Sequence, residues 1–170
     1  MMYLGDPSKS KKGSKKKEIH IIAHNVRSVL NVGGFFRTAE ALGATKFWLT
    51  GYTPTPDHPR MKKVSLGTEN WLSWERAITA GTAIKKIRRD FPRAKIVAIE
   101  NNVPFKTVEL PDFKTKFPLA LVVGNEVKGI TTQVLKQCDE IVEIPMRGRK
   151  ESFNVVVALG IVLYQITKDL

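Results

Sequence analysis

The sequence predicts an α/β fold in which a parallel β-sheet is covered by helices on both faces. From Glu18 onward, strand-like segments alternate with segments whose apolar residues recur every three or four positions. Such alternation is typical of parallel sheets with crossover helices. Residues 94–100 and 119–124 are nearly continuous apolar runs, as expected of strands in a sheet that is buried on both faces.

Residue patterns assign each element in turn. Short apolar segments predict strands, and the apolar positions from Val29 to Leu42, spaced three and four apart, predict a helix that Gly43 ends. A proline-rich loop separates the second strand from a helix whose basic C-terminal end suits the helix dipole. In chain order we expect strand 19–24, helix 29–42, strand 46–50, helix 75–89, strands 94–100 and 119–124, helix 131–137, strand 140–146 and helix 152–168.

The last of these helices, residues 152–168, is apolar on nearly every side. A helix of this kind is buried all round, and a domain of 170 residues leaves little room for that. We therefore expect it to form either a dimer interface or a central core helix. The longest apolar run, residues 155–163, is far too short to span a membrane.

Composition limits the possible chemistry. The length suits one domain. Cys138 is the single cysteine, which excludes an internal disulfide and a cysteine-based metal site and fits a reducing cytoplasm. His20, His24 and His58 form no ligand cluster in the sequence, so we expect no metal.

The net charge of +12 indicates an anionic partner. Residues 1–18 hold six lysines against Asp6 and Glu18, a net +4, so the other 152 residues carry +8. We interpret residues 1–17 as a disordered lysine-rich tail and residues 18–170 as the domain. Lysines on a flexible arm bind nucleic-acid phosphates without defined geometry; a tail that only aids solubility is the alternative.

Residues 25–37 run from the end of the first strand into a helix. Asn31 is a good N-cap, and Gly33 and Gly34 would then fall in the first helical turn, where glycine costs stability. This pattern favours close approach of a ligand, and the free amides of a helix N-terminus favour a phosphate. Arg37 lies about one turn further on and either reaches the same place or is a solvated charge.

Residues 121–130 lead from an apolar strand through Gly124 and a polar turn to Gly129. This arrangement is common in nucleotide-binding folds and is weakly specific alone. Glu126 is more specific, because a carboxylate beside the strand end suits Arg37 or a cofactor amine. Its structural alternative is an acidic residue at a helix N-terminus.

Residues 144–154 lead from Ile-Pro-Met through a basic loop, residues 147–150, into the apolar last helix. Ser152 suits the N-cap of that helix. Asn154 is a polar residue at the start of a helix built for burial, and a buried amide needs hydrogen-bond partners.

Together these three stretches resemble the motifs of the SpoU/TrmH family of RNA methyltransferases, within the SPOUT superfamily. The order and spacing agree across residues 19–168. Phe153 stands where the family usually has leucine, and Val127 stands where glycine is common. The matching residues are Asn31, Gly33 and Arg37 in the first motif, Gly124, Glu126 and Gly129 in the second, and Ile144, Pro145, Met146, Ser152 and Asn154 in the third.

The resemblance implies a ribose 2′-O-methyltransferase with a deep C-terminal trefoil knot, S-adenosylmethionine as cofactor, RNA as substrate and a homodimer joined near the cofactor sites. Implied catalytic residues are Arg37, Asn31, Glu126, Ser152 and Asn154. Implied cofactor-binding residues are Ile99, Glu100, Gly124, Asn125, Ile144, Met146, Ser152 and Phe153. Expected RNA-binding residues are Lys9, Lys11, Lys12, Lys15, Lys16, Lys17, Arg27, Arg147, Arg149 and Lys150.

Two roles stay open for Arg37 at this point. In the family the matching arginine is proposed as a general base, but a guanidinium normally stays protonated. Arg37 therefore either deprotonates the hydroxyl when coupled to an RNA phosphate or only holds that phosphate. Ser152 and Asn154 would orient Arg37 or the ribose, and Glu126 would hold Arg37 or shape the cofactor loop.

Three other interpretations compete with this one. Arg37 with Asn31 argues, by resemblance, against a knotted methyltransferase that acts on a base. A non-catalytic RNA-binding protein would be recognised by the loss of Arg37, Glu126 or Asn154, and all three are present. An unrelated nucleotide-binding hydrolase would show a phosphate-loop lysine motif or a nucleophile elbow, and neither occurs. With no separate RNA-recognition domain in the sequence, we expect tRNA rather than rRNA as substrate.

Overall fold

A parallel sheet of seven strands organises residues 17–170, the part of the chain that the computed structural model describes. All neighbouring strands pair in parallel, in the order β3-β2-β1-β6-β4-β7-β5. The predicted parallel sheet is confirmed, and the trefoil knot stays a prediction. The strands are β1 (Ile19–His24), β2 (Lys46–Thr50), β3 (Ser73–Ala77), β4 (Lys95–Ile99), β5 (Val108–Glu109), β6 (Leu119–Val123) and β7 (Glu140–Glu143).

Helices cover both faces of this sheet, as predicted. Successive strand side chains point to opposite faces, and they divide the core into two apolar layers. One layer contains the buried sides of α1 and α5, and the other contains those of α3 and α4. The helices of the described residues are α1 (Val29–Ala41), α2 (Lys62–Ser65), α3 (Ala80–Asp90), α4 (Thr132–Leu135) and α5 (Val155–Thr167).

The segment before α3 corrects one prediction. Residues 73–77 form the edge strand β3 beside β2 instead of the start of a helix. Helix α3 begins only at Ala80, because the hydroxyl of Thr79 accepts a hydrogen bond from the amide of Thr82 at 3.1 Å and caps the helix there.

The start of α1 corrects a second prediction. Ser28, not Asn31, is the N-cap, and its hydroxyl accepts a hydrogen bond from the Asn31 amide at 3.3 Å. The two glycines therefore lie in the second turn, where they allow close packing of helices. A Cβ on Gly33 would lie 3.0 Å from Cβ of Val64, and one on Gly34 would lie 3.0 Å from a methyl group of Val156.

Helix α5 begins three residues later than expected, and Asn154 caps it in place of Ser152. Its buried residues, Leu159, Val162, Leu163 and Ile166, lie on one side. Val157 and Tyr164 are 48% and 63% exposed, so the single chain does not bury this helix all round. No helix among residues 17–170 is long and apolar enough to cross a membrane.

Candidate active site

The three stretches singled out in the sequence meet at the carboxyl edge of the sheet. β1, β6, β4 and β7 are neighbours there, and the loops that follow them carry residues 25–37, 121–130 and 144–154. Ligands of parallel α/β sheets bind at this edge, so the fold places these loops where a site is expected.

The carboxylate of Glu126 joins the second stretch to the first. One oxygen accepts a hydrogen bond from the amide of Arg27 at 2.9 Å. The other oxygen accepts hydrogen bonds from the amide of Ser28 and from Nδ2 of Asn31, both at 2.9 Å. Amides at the start of a helix carry no intrahelical partner, so Glu126 satisfies donors that α1 leaves free.

These hydrogen bonds determine the charge of Glu126. Burial acts to raise the pKa of Glu126, but the amides of Arg27 and Ser28 and the side chain of Asn31 outweigh it and hold the pKa below its usual range. Glu126 is therefore an anion at neutral pH. It forms no hydrogen bond or ion pair with Arg37, so of the two predicted roles the structure favours shaping the cofactor loop over holding Arg37.

Asn31 continues the connection to the third stretch. Its Oδ1 accepts a hydrogen bond from Nδ2 of Asn154 at 3.3 Å, and Oδ1 of Asn154 in turn accepts from the amide of Val156 at 2.9 Å. Asn154 is exposed, which corrects the expectation that it is buried, but it has the partners that were expected. A chain of hydrogen bonds, Glu126–Asn31–Asn154, thus links all three stretches.

A cavity of about 140 Å³ lies beside this chain of hydrogen bonds and opens to solvent. Most residues that the family resemblance assigns to the cofactor are at its wall, together with Glu126. They are Ile99, Glu100, Gly124, Asn125, Ile144, Ser152 and Phe153.

Met146 is the exception among the predicted cofactor residues. It lines a neighbouring cleft with Arg147, Arg149 and Lys150 instead of the cavity. The chain leaves strand geometry after Glu143 and turns into the basic loop, which carries the Met146 side chain away from the cavity wall.

Backbone groups form much of the cavity wall because two glycines permit a tight turn. A Cβ on Gly124 would lie 2.5 Å from the carbonyl carbon of Gly129, and Gly129 has a φ of +63°. Asn125 Oδ1 accepts hydrogen bonds from the amides of Val127 and Lys128, and Glu100 accepts one from the amide of Ile130 at 2.8 Å. The turn is therefore held at both ends.

The charges at the cavity indicate what it can hold. Glu100 and Glu126 lie at its wall, and no lysine or arginine of the described residues does. The rest of the wall combines uncharged polar residues such as Asn101 and Ser152 with apolar residues such as Ile99 and Ile144. A ligand with an apolar ring and a positive charge fits this combination best.

Arg37 is exposed on α1 and makes no hydrogen bond or ion pair within residues 17–170. Gly33 faces α2 and Gly34 faces α5. At about 100° per residue, Arg37 projects between these two directions, one turn further on. It contacts neither Ser152 nor Asn154, so its guanidinium is available to an anion from outside the chain.

Sequence reasoning missed Asn101, which directly follows β4. Its Nδ2 donates to the carbonyl oxygen of Ile144 at 2.9 Å, and its Oδ1 accepts from the Ile144 amide at 3.2 Å. Asn101 thereby fixes the backbone on one side of the cavity. Its position directly after an apolar run was the available signal.

His24 lies outside the cavity wall. It is buried beside Thr131, and burial lowers its pKa.

The predicted RNA-binding residues fall into separate groups. Arg27 and the loop residues Arg147, Arg149 and Lys150 are exposed near the carboxyl edge of the sheet. Lys17 lies at the opposite edge, with Nζ 5.0 Å from the centre of the Phe117 ring. The remaining predicted contacts lie outside the described residues; they are Lys9, Lys11, Lys12, Lys15 and Lys16.

Comparison with known proteins agrees with this geometry. Residues 18–164 match the model of the SpoU rRNA Methylase family. The chain belongs to this family. The predicted family is therefore confirmed, and the match covers all three stretches of the site.

Relatives within the family act on different RNAs. The chain is 28% identical over 157 residues to a tRNA (guanosine(18)-2′-O)-methyltransferase of Aquifex aeolicus, covering 91% of this chain and 71% of the relative. It is 26% identical to a 23S rRNA (guanosine-2′-O-)-methyltransferase, RlmB, of Haemophilus influenzae, covering 92% and 62%. The chain spans less than two thirds of the length of most curated relatives it matches.

A solved structure supports the same fold. The AdoMet-bound rRNA methyltransferase from Sinorhizobium meliloti superposes with a TM-score of 0.79 at 25% identity. The superposition covers 92% of this chain and 58% of that chain. The architecture is therefore shared over nearly the whole of the described chain.

Proposed function

We propose that the protein transfers a methyl group from S-adenosylmethionine to a ribose 2′-hydroxyl of RNA, with tRNA favoured over rRNA. The observation that carries this proposal is the Glu126–Asn31–Asn154 chain, which joins the three family motifs beside an acidic, backbone-lined cavity. Family membership and the names of both curated relatives support the same reaction.

The residues that line the cavity suit S-adenosylmethionine by their charge and chemical character. The walls formed by Ile99, Ile144 and the turn at Gly124 suit an adenosine, and the carboxylates of Glu100 and Glu126 suit a cation. When bound, the cofactor supplies a methyl group on a positively charged sulfur, which makes that methyl electrophilic. The remaining task of the chain is to position the reactants.

Arg37 holds an RNA phosphate beside the reacting ribose. No described residue forms a hydrogen bond or ion pair with its guanidinium, and a guanidinium stays protonated, so the phosphate-holding role is favoured over the general base. Bidentate hydrogen bonds from arginine suit a phosphate. Asn31 and Asn154, tied to each other and to Glu126, fix the start of α1 that carries Arg37.

The exposed apolar residues of α5 support a homodimer. Val157 of α5 is 48% exposed, and Phe153, which precedes α5 at the cavity wall, is 40% exposed. Covering this side with a second copy would remove apolar surface from water.

The lysine-rich residues 1–17 would add contacts to RNA phosphates. The single cysteine supports a location in the reducing cytoplasm.

Transfer of labelled methyl groups from S-adenosylmethionine tests the proposal. Bulk tRNA and ribosomal RNA that lack their modifications would be incubated separately with the protein, and the nucleosides identified by mass analysis. A 2′-O-methylated nucleoside is expected, and its RNA pool names the substrate class. A methylated base would instead support a base-directed enzyme. RNA binding without any cofactor binding would support a non-catalytic RNA-binding protein.

A further inference from the structure

A second cleft lies across the turn that walls the cofactor cavity. It is lined by Arg27, Tyr52, Asn125, Val127 and Lys128. The cleft shares Asn125 and Val127 with the cofactor cavity. Its residues follow β1, β2 and β6, which are neighbours in the sheet. The cleft therefore opens at the same edge as the proposed reaction site, and the methyl transfer itself does not use it.

Tyr52 is held in place although more than half of it is exposed. Its relative exposure is 57%, and its hydroxyl oxygen accepts a hydrogen bond from Nδ2 of Asn125 at 3.1 Å. Asn125 itself is 5% exposed and also donates to the carbonyl oxygen of Asn25 at 2.9 Å. A large exposed aromatic group fixed at its polar end is a preformed surface for another flat ring.

The backbone below Tyr52 is also fixed. Gly51 has a φ of +64°, a conformation that favours glycine. Its amide donates to the carbonyl oxygen of Ile78 at 3.2 Å. A ligand that stacks on Tyr52 would therefore lose little free energy to ordering of the protein.

Two cations line the cleft together with this ring. Arg27 and Lys128 are exposed, and neither side chain takes part in an ion pair or hydrogen bond within residues 17–170. Lys46 and Lys95, in contrast, are paired with carboxylates elsewhere on the sheet. No acidic residue of the described chain lines the cleft. An aromatic surface between unpaired cations suits single-stranded RNA, whose bases stack while its phosphates bind cations.

We infer that a nucleobase of the substrate RNA stacks on Tyr52, with the neighbouring phosphates bound by Arg27 and Lys128. This inference rests on the proposed function, because it takes RNA as the substrate. It adds a base-binding subsite that is separated from the cofactor by one turn of chain. Asn125 joins the two sites, since it holds both the cofactor-side turn and the Tyr52 hydroxyl.

Two substitutions of Tyr52 separate the ring from its hydroxyl. Affinity for unmodified bulk tRNA would be measured at several salt concentrations, alongside the binding of S-adenosylmethionine. Tyr52→Ala should weaken tRNA binding about tenfold or more, the effect of losing one base stack, while the salt dependence stays the same. Tyr52→Phe keeps the ring and should stay within about threefold of the wild-type affinity for the same reason.

Replacing the cations should change the salt dependence of tRNA binding. Arg27→Gln and Lys128→Gln should each lower the slope of log affinity against log salt by about 1, because one fewer counterion is released. Trp71→Ala is the matched control, since Trp71 is 70% exposed but precedes β3 at the opposite edge of the sheet. Its affinity for tRNA should equal that of the wild type.

The inference is overturned if Tyr52→Ala binds tRNA as tightly as the wild type. It is also overturned if Tyr52→Phe loses as much affinity for tRNA as Tyr52→Ala. The same holds if the control Trp71→Ala loses as much affinity for tRNA as Tyr52→Ala. A wild-type protein that binds tRNA through Tyr52 but transfers no methyl group would refute the proposed function alone. Normal methyl transfer with unchanged binding in Tyr52→Ala would refute the subsite alone.

Discussion

Replacing Glu126 by glutamine tests the chain of hydrogen bonds on which the site depends. In the wild type, the Ser28 amide and Nδ2 of Asn31 donate hydrogen bonds to the same carboxylate oxygen of Glu126. Glutamine has nearly the same shape as glutamate, and its amide oxygen can still accept both of these hydrogen bonds. The NH₂ group of the glutamine then faces the amide of Arg27, and because both groups are donors no hydrogen bond forms between them. Losing this charge-assisted hydrogen bond should cost about 1–2 kcal/mol of unfolding free energy, because Arg27 is exposed and water can pair its amide.

The pH dependence of this loss is a second measure. Because the pKa of Glu126 is depressed in the folded protein, its contribution to stability is present above the unfolded pKa of about 4.3. That contribution is lost as the pH falls through the lower folded value. The difference in unfolding free energy between wild type and Glu126→Gln should therefore be largest near neutral pH and shrink in acid.

Urea unfolding at several pH values measures both effects. Glu109→Gln is the matched control, because Glu109 is exposed on β5 and its side chain accepts no hydrogen bond from the described residues. Its stability should stay within about 0.5 kcal/mol of the wild type. An equally small change in Glu126→Gln, or a difference that does not vary with pH, would refute the role given to this carboxylate.

Three further changes give separate tests. Arg37→Ala should keep cofactor binding, measured by calorimetry, and lose roughly 100-fold or more in methyl transfer, as expected of a lost electrostatic contact to the reacting groups; wild-type turnover would contradict its assignment. Removing residues 1–17 should weaken tRNA binding and reduce its dependence on salt concentration. Unchanged affinity would show that these residues do not contribute to RNA binding. Gly124→Ala should lower both cofactor affinity and thermal stability, because its Cβ would lie 2.5 Å from backbone of Gly129, whereas Gly148→Ala, with open space around it, should change neither.

Local patterns were sufficient for the strands that are buried on both faces. Residues 119–124 are a nearly continuous apolar run, and residues 19–24 are apolar apart from His20 and His24; they form the adjacent central strands β6 and β1. Gly43 ends α1 at a φ of +76°, which glycine adopts without strain. The family was also readable from the sequence, because its three motifs depend on residue identity and spacing.

Strand β3 shows where local patterns fail. Its sequence, Ser-Trp-Glu-Arg-Ala, contains residues that favour helices. It becomes a strand because the open edge of β2 pairs with it, and because Lys46 on β2 and Lys86 on α3 both reach Glu75. That edge exists only in the assembled sheet, so a window of neighbouring residues could not show it.

The sequence by itself determined the α/β class and the family, and it predicted polar residues of the proposed site. The tertiary structure decided what those residues contact. Ser28 and Asn31 are both good capping residues. Glu126, 95 positions beyond Asn31, binds the amides that precede α1 and Nδ2 of Asn31, while Oδ1 of Asn31 binds Asn154. Hydrogen bonds have a reach of about 3 Å, so partners so far apart in the chain are known only when the sheet brings their loops to one edge.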